Sequence, residues 1–352
     1  RVDDALRLVS ALREFAFRRI NYEITSWAND AIQLAEADDS PDLSTALGVL
    51  AYGSFVRGDM STAIELAHRA LDTPGGSELS ESGLPERALG NAHFYLGQLD
   101  QALDWTYRMV LSARRADTGG RIAHGLYMHS VAQTVVGNEI RGAALAGEAR
   151  AAADAVGSPS AHAQADYALG LVLKTTDPDE ALALLERAGA VGAEAGNRWI
   201  EAFALTEVHS LRAAKGDHLV ALAGYAGVID TWYRGGDWAN QRLSLRRVLG
   251  ILVELEAFEP AAVLHGSLAA AGAAHALPIV PADAEHLSKG VDEVLTHLGP
   301  DAFAEAARSG ATMSDREIVS FVQQQIALLT ADSVRVDDSA VHTSEVSTRT
   351  AR

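Results

Sequence analysis

Apolar residues recur with helical spacing along most of the chain, in runs separated by short polar turns. The pattern predicts helices over residues 3–18, 22–37, 43–57, 60–72, 84–97, 99–116, 121–136, 139–156, 161–174, 178–195, 198–215, 217–234, 239–255 and 258–273. Glycine and proline mark the breaks between pairs of helices, as in Asp72-Thr73-Pro74-Gly75-Gly76, Gly157-Ser158-Pro159 and Gly235-Gly236. Past residue 274 the register changes. Pro278 and Pro281 interrupt helix, and three further helices are expected over 282–298, 300–309 and 314–330, the last opened by Ser314 and Glu317 at capping-box spacing. The Ser/Thr/Asp-rich stretch 331–352 reads as a disordered tail.

A turn-like junction follows each apolar run at Gly58-Asp59, Gly97-Gln98, Gly137-Asn138, Thr176-Asp177, Gly216-Asp217 and Glu256-Ala257, at intervals of 39, 40, 39, 40 and 40 residues. Such regularity makes one supersecondary unit per interval the economical reading. Five positions after each junction stands a small residue: Ala63, Ala102, Gly142, Ala181, Ala221 and Ala261. At the start of a second helix, a small side chain there lets the two helices of a pair approach closely. Ala51, Gly90 and Ser130 would allow the matching approach from the first helix.

Segments such as Ala51-Tyr52-Gly53-Ser54-Phe55-Val56-Arg57-Gly58-Asp59 and Leu89-Gly90-Asn91-Ala92-His93-Phe94-Tyr95-Leu96-Gly97 resemble the tetratricopeptide (TPR) motif. The period exceeds the usual TPR unit of about 34 residues, so each hairpin must carry an extra turn of helix or a longer loop; HEAT and armadillo repeats, at about 40 to 47 residues, are the competitor. The expected fold is an all-α, TPR-like α-solenoid of about seven helical hairpins over residues 1–273, with a C-terminal helical cap over 274–330 that covers the last apolar groove.

Composition narrows the function. A formal net charge of −18 opposes the phosphate neutralisation that nucleic-acid binding needs, and no basic run compensates for it. The chain has no cysteine, which removes disulfides and thiolate chemistry and fits a reducing compartment. No stretch approaches the roughly 18 apolar residues of a membrane span. A cytoplasmic location and no membrane partner are therefore expected. A start at Arg1 in place of Met suggests a region of a longer protein.

The segment Phe258-Glu259-Pro260-Ala261-Ala262-Val263-Leu264-His265-Gly266, with Leu298-Gly299-Pro300-Asp301-Ala302-Phe303 and Met313-Ser314-Asp315-Arg316-Glu317, resembles the tail of large bacterial STAND-type signalling ATPases and LuxR-type transcriptional regulators, whose helical arrays also occur with adenylate cyclase domains. The resemblance implies a sensor or autoinhibitory platform that biases a switch carried by other domains. The Walker phosphate loop of those ATPases is missing, so nucleotide hydrolysis is not expected of this chain. Met313–Val322 resembles the opening of a LuxR-type helix-turn-helix, but no basic recognition helix follows.

Candidate chemistry is sparse. His124 and His129, five residues apart, fall about 140° apart around a helix and form no common ligand face. His68, His209 and His265 read as packing or surface residues, and Asp38-Asp39 and Asp337-Asp338 as solvated charge. Gly-x-Ser-x-Gly is absent, and Gly75-Gly76, Gly119-Gly120 and Gly235-Gly236 read as helix stops, not phosphate cradles. No catalysis, cofactor or metal is expected. In a TPR-like array the first helix of each hairpin lines the concave groove, and aligning the junctions projects Tyr52, Arg87, Asn91, His124, Tyr127, Asp166, Thr206, Ser210 and Arg246 onto it. Trp105, Trp199, Tyr225, Trp232 and Trp238 are assigned to the packing between units. The expected function is a non-catalytic regulatory or sensor module that binds a protein, a peptide or a small-molecule effector, with self-association open. The alternative is a free-standing interaction scaffold or peptide receptor.

Overall fold

In the computed structural model, which describes residues 2–34, 40, 42–73, 80, 82–272 and 281–331, the described residues form 17 helices and no strand. The helices are α1 (Val2–Arg18), α2 (Ile24–Leu34), α3 (Leu43–Val56), α4 (Met60–Asp72), α5 (Leu84–Tyr95), α6 (Leu99–Arg115), α7 (Gly119–Val135) and α8 (Glu139–Val156). They continue with α9 (Pro159–Leu173), α10 (Pro178–Glu194), α11 (Arg198–Ala214), α12 (His218–Gly235), α13 (Trp238–Glu254), α14 (Phe258–Gly272), α15 (Pro281–Leu298), α16 (Pro300–Ala311) and α17 (residues 315–331). The expected helix ends fall within two residues of these, except at the end of α2, where 35–37 lie outside the described residues. The turn residues 74–76, Pro278 and the tail from 332 onward also lie outside them.

The regular spacing has a backbone cause. Gly58, Gly97, Gly137 and Gly216 take left-handed φ values of 84°, 71°, 84° and 91° just after a helix, and Glu256 does the same at 56°. Glycine stops a helix there because it adopts this conformation without a Cβ clash. The turns between hairpins do likewise at Asp117, Gly157, Gly196 and Gly236. From residue 97 to 256, helices therefore alternate with turns of two to four residues. The extra length over an ordinary TPR unit sits in the helices, since α6 to α13 have 15 to 18 residues each. Some of the helices are capped at their start by a polar residue: Asp59 accepts from the Thr62 amide (3.1 Å) and Asp177 from that of Glu180 (3.1 Å). Gly119-Gly120, expected to stop a helix, instead open α7.

The small residues after each junction are buried as expected: Ala63, Ala102, Ala181, Ala221 and Ala261 are at most 1% exposed. Gly90 shows the steric reason, because a Cβ there would sit 3.2 Å from Thr106 of the partner helix. The result is an all-α array of TPR-like helix pairs.

The chain divides into two compact units. The first comprises residues 1–208, 231–243 and 274–284, the second 209–230, 244–273 and 285–352. In the first, α3 to α10 pack as successive hairpins, each on the next. Its core includes a run of rings, Phe17, Tyr52, Phe55 and Tyr95, with centroids 4.7, 5.7 and 5.0 Å apart. The N-terminal pair α1–α2 packs on α3 and also reaches the far end of the same unit. The Tyr22 hydroxyl donates to Asp237 Oδ2 (2.7 Å), and Gly235 leaves room for Ile20. Asp237 caps α13 through the Asn240 amide (3.1 Å), and Tyr95 donates to Asn240 Oδ1 (2.5 Å).

In the second unit α16 lies across α14 with backbone against backbone. A Cβ on Gly266 would overlap the Ala307 carbonyl, and one on Gly310 the Val263 carbonyl. Phe258 stacks on His297 at 4.1 Å. The α17 start carries the expected capping box: Glu317 accepts from the Ser314 amide (2.8 Å) and hydroxyl (2.6 Å).

Candidate ligand cavity in the first unit

The C-terminal half of α1 borders a partly open cavity. Glu14, Phe17 and Arg18 of α1 close over Arg87 of α5, Met109 and Ala113 of α6, Arg121 and His124 of α7, Gln164 of α9 and Trp199 of α11, leaving a cavity of about 180 Å³. Ser82, Gly83, Leu84, Thr118, Gly120 and Asn197 complete the wall, so the N-terminal ends of α5, α7 and α11 all border it. The α5 end is held in place by buried Glu86, which accepts from the amide and hydroxyl of Ser80 (both 2.6 Å). Ser80 in turn accepts the Gly83 amide (2.8 Å).

Arg87 is the centre of the site. It is only 5% exposed, with its guanidinium 4.3 Å from the Tyr52 ring, 5.3 Å from Trp199 and 5.8 Å from Phe17. Its Nη2 donates to the Tyr52 hydroxyl (3.0 Å), while its Nε is buried without a partner. Two further buried atoms of the same wall also lack a partner: Trp199 Nε1 and His124 Nε2. Buried polar groups are ordinarily paired, so three orphans around one cavity are unusual. Burial, reinforced by Arg87, depresses the His124 pKa to about 3, which keeps the ring neutral; Gln164 hydrogen-bonds it. Burial alone would raise the Glu14 carboxyl, but the charges of Arg87, Arg13 and Arg18 outweigh it and hold the group below the usual range.

A second, smaller cavity of about 70 Å³ lies among Phe55, Phe94, Tyr95, Tyr127, Tyr167, Phe203 and Trp199, with Asn91 and Asn240 on its wall. Burial raises the Tyr127 hydroxyl far above the tyrosine range, so that it stays protonated.

Of the residues projected onto a groove, Arg87 and His124 line the larger cavity, Tyr52 holds Arg87, and Asn91 and Tyr127 line the smaller one. Asp166 lies elsewhere, 3% exposed and ion-paired to Arg150 and Arg187. Thr206 is buried with its hydroxyl on the Ala202 carbonyl (2.8 Å), and Ser210 and Arg246 belong to the second unit. The projection treats the array as open and so misses what α1 brings: Glu14, Phe17 and Arg18. It also omits Arg121, Gln164 and Trp199, the last assigned to packing alone. The available signal was α1 itself, which carries a second apolar stripe, Leu8, Leu12 and Phe15, exposed beside the buried Leu6, Val9 and Phe17.

Among the described residues no cluster of three or more His, Asp or Glu could hold a metal ion, and no helix is long and apolar enough to cross a membrane.

No family model matches the chain, and no curated protein matches it. Among solved structures it is similar to a Rap protein complexed with competence and sporulation factor, at 12% identity and a TM-score of 0.49, over 92% of this chain and 99% of that one. It is similar also to a signal transduction ATPase with numerous domains that has a tetratricopeptide repeat sensor, from Pyrococcus horikoshii, at 13% identity and a TM-score of 0.45. That match covers 91% of this chain and 50% of the ATPase. A third likeness, to nearly identical TPR-like repeats from Podosopora anserina, has 15% identity and a TM-score of 0.41, over 55% of this chain and 97% of the other. Those similarities are remote, and the TPR-like fold stands on the chain's own helices.

Proposed function

We propose that the first unit is a non-catalytic ligand-binding module whose cavity takes a small molecule or the end of a peptide. The observation that carries this is that three residues lining one cavity each hold a buried, unpartnered atom: Arg87 Nε, Trp199 Nε1 and His124 Nε2. A ligand there would touch α1 on one side and α5, α7 and α11 on the other, so its binding favours the docked position of α1. That differential affinity is what a sensor needs to shift a switch. The sequence resemblance to the helical arrays of STAND-type and LuxR-type regulators supplies a setting for it, cytoplasmic and coupled to other domains.

The test is a thermal-unfolding screen against metabolites and short peptides. A ligand at 100 times its Kd stabilises the native state by about 2.7 kcal/mol. A Cβ at Gly120 would meet no atom within 4 Å, so Gly120→Leu adds bulk beside the cavity with little backbone strain. A hit should lose its effect in that variant and should slow amide exchange in α1. Hits that bind Gly120→Leu equally well, or leave α1 exchange unchanged, count against the proposal.

A second reading, an interaction scaffold, is favoured by the stripe Leu8, Leu12 and Phe15 on α1, which are 52%, 36% and 60% exposed. It requires a concentration-dependent dimer in sedimentation that Leu12→Glu abolishes; a monomer at every concentration excludes self-association through this face.

A further inference from the structure

We infer that the ligand of the larger cavity is a small organic acid, its anionic group on Arg87 and Trp199 and its apolar body against Phe17, Leu84 and Met109; this rests on the ligand-binding reading above. The first argument is donor chemistry. An arginine Nε and an indole Nε1 carry hydrogen and have no lone pair to offer, so each can be completed only by an acceptor. Both are buried without one here. A ligand that satisfies them must present oxygen to two donors at once, and a charged oxygen makes the stronger bonds.

Charge points the same way. The chain as a whole carries −18, yet Arg18 and Arg87 line this cavity against the single lining carboxylate of Glu14, while Arg121, also on the wall, acts on the buried Glu86. One positive charge remains in excess on the wall of a protein that is elsewhere acidic. The ends of α5, α7 and α11 that border the cavity are N-terminal ones, each the positive pole of a helix dipole. A cationic ligand would find one partner, Glu14, and two opponents, Arg18 and Arg87.

Size and lining set the rest of the ligand. A cavity of about 180 Å³ is slightly larger than the engineered cavity of about 150 Å³ known to take benzene. It holds a ring or a short chain with an acid group, and it does not hold an extended peptide. Phe17, Leu84, Met109 and Trp199 supply apolar surface for that body.

The experiment uses benzoate, its neutral isostere benzamide, and inorganic phosphate, each titrated into the full chain. Two signals are read, the thermal midpoint and the indole N–H resonance of Trp199, assigned by its disappearance in Trp199→Phe. Benzoate should raise the midpoint and move the Trp199 resonance, and benzamide should bind at least tenfold more weakly. Trp199→Phe keeps an aromatic ring, though a smaller one, and loses the donor; it should weaken benzoate about tenfold, which corresponds to about 1.4 kcal/mol. Gly120→Leu should abolish binding while the protein still folds.

Equal binding of benzamide and benzoate would overturn the acid and leave the ligand cavity standing. A response to phosphate without one to benzoate would keep the anion but overturn the apolar body. No response to any of the three would overturn the inference, whereas the broader metabolite and peptide screen decides the ligand-binding reading separately.

Discussion

His124 should make the protein lose stability on mild acidification, by an amount that can be isolated. Its ring lies against Arg87 on the cavity wall, and burial depresses its pKa from 6.5 to about 3. The sign follows from linkage. A folded-state pKa below the unfolded one means that the unfolded chain binds the proton first, so the stabilising contribution is complete above 6.5 and is lost as pH falls toward 3. Between about pH 7.5 and about pH 5 the loss at this one side chain is about 2 kcal/mol. His129 and His209, both depressed to about 4, titrate in the same direction, so the wild-type loss alone overstates the effect. Urea unfolding of the wild type and of His124→Gln at the two pH values gives the difference directly. The variant should lose about 2 kcal/mol less than the wild type on acidification. Equal losses in the two proteins, or an NMR titration in which the His124 ring protonates near 6.5, would refute the reasoning.

Two further outcomes follow from neighbouring features. Asp237 has the opposite sign: burial raises its pKa from 3.8 to about 6, so its contribution is complete below 3.8 and lost as pH rises through 6. Ionised at neutral pH it costs about 3 kcal/mol, and Asp237→Asn should flatten that part of the stability profile between pH 4 and 7 in urea titrations. In the second unit Gly310→Ala forces α14 and α16 apart where a Cβ overlaps the Val263 carbonyl, and should cost about 1 to 3 kcal/mol by calorimetry. An unchanged transition would mean that the two helices cross less closely than the glycines indicate.

Local structure was legible in the sequence because its causes are local. Gly58, Gly97, Gly137 and Gly216 stop their helices by conformation, and the small residue five positions on, alanine or Gly142, marks where the next helix crosses. Even Ser314 and Glu317 act within one turn. The projection of Arg87 and His124 onto a common face also needed only helical phase. What it could not supply was the cover on that face. The bond from Tyr22 to Asp237 joins residues 215 apart in sequence, and no periodicity encodes a meeting of that kind. Trp199 was assigned to packing for the same reason. Its burial was foreseeable, but an unpartnered indole N–H on a cavity wall is a property of three-dimensional placement.

The bond between Tyr22 and Asp237 also changes how the first unit should come apart. In an open helical array each repeat touches only its neighbours, stability is nearly a sum of local terms, and unfolding starts at a free end and proceeds repeat by repeat. Here the first hairpin is fastened to the start of α13, which belongs to the same unit, so the hairpin is not a free end to fray. Hydrogen exchange in α1 and at the start of α13 should then proceed through one shared opening event, with similar protection in both. Breaking that fastening with Tyr22→Phe should return the unit to graded, end-first melting, the behaviour of a linear polymer.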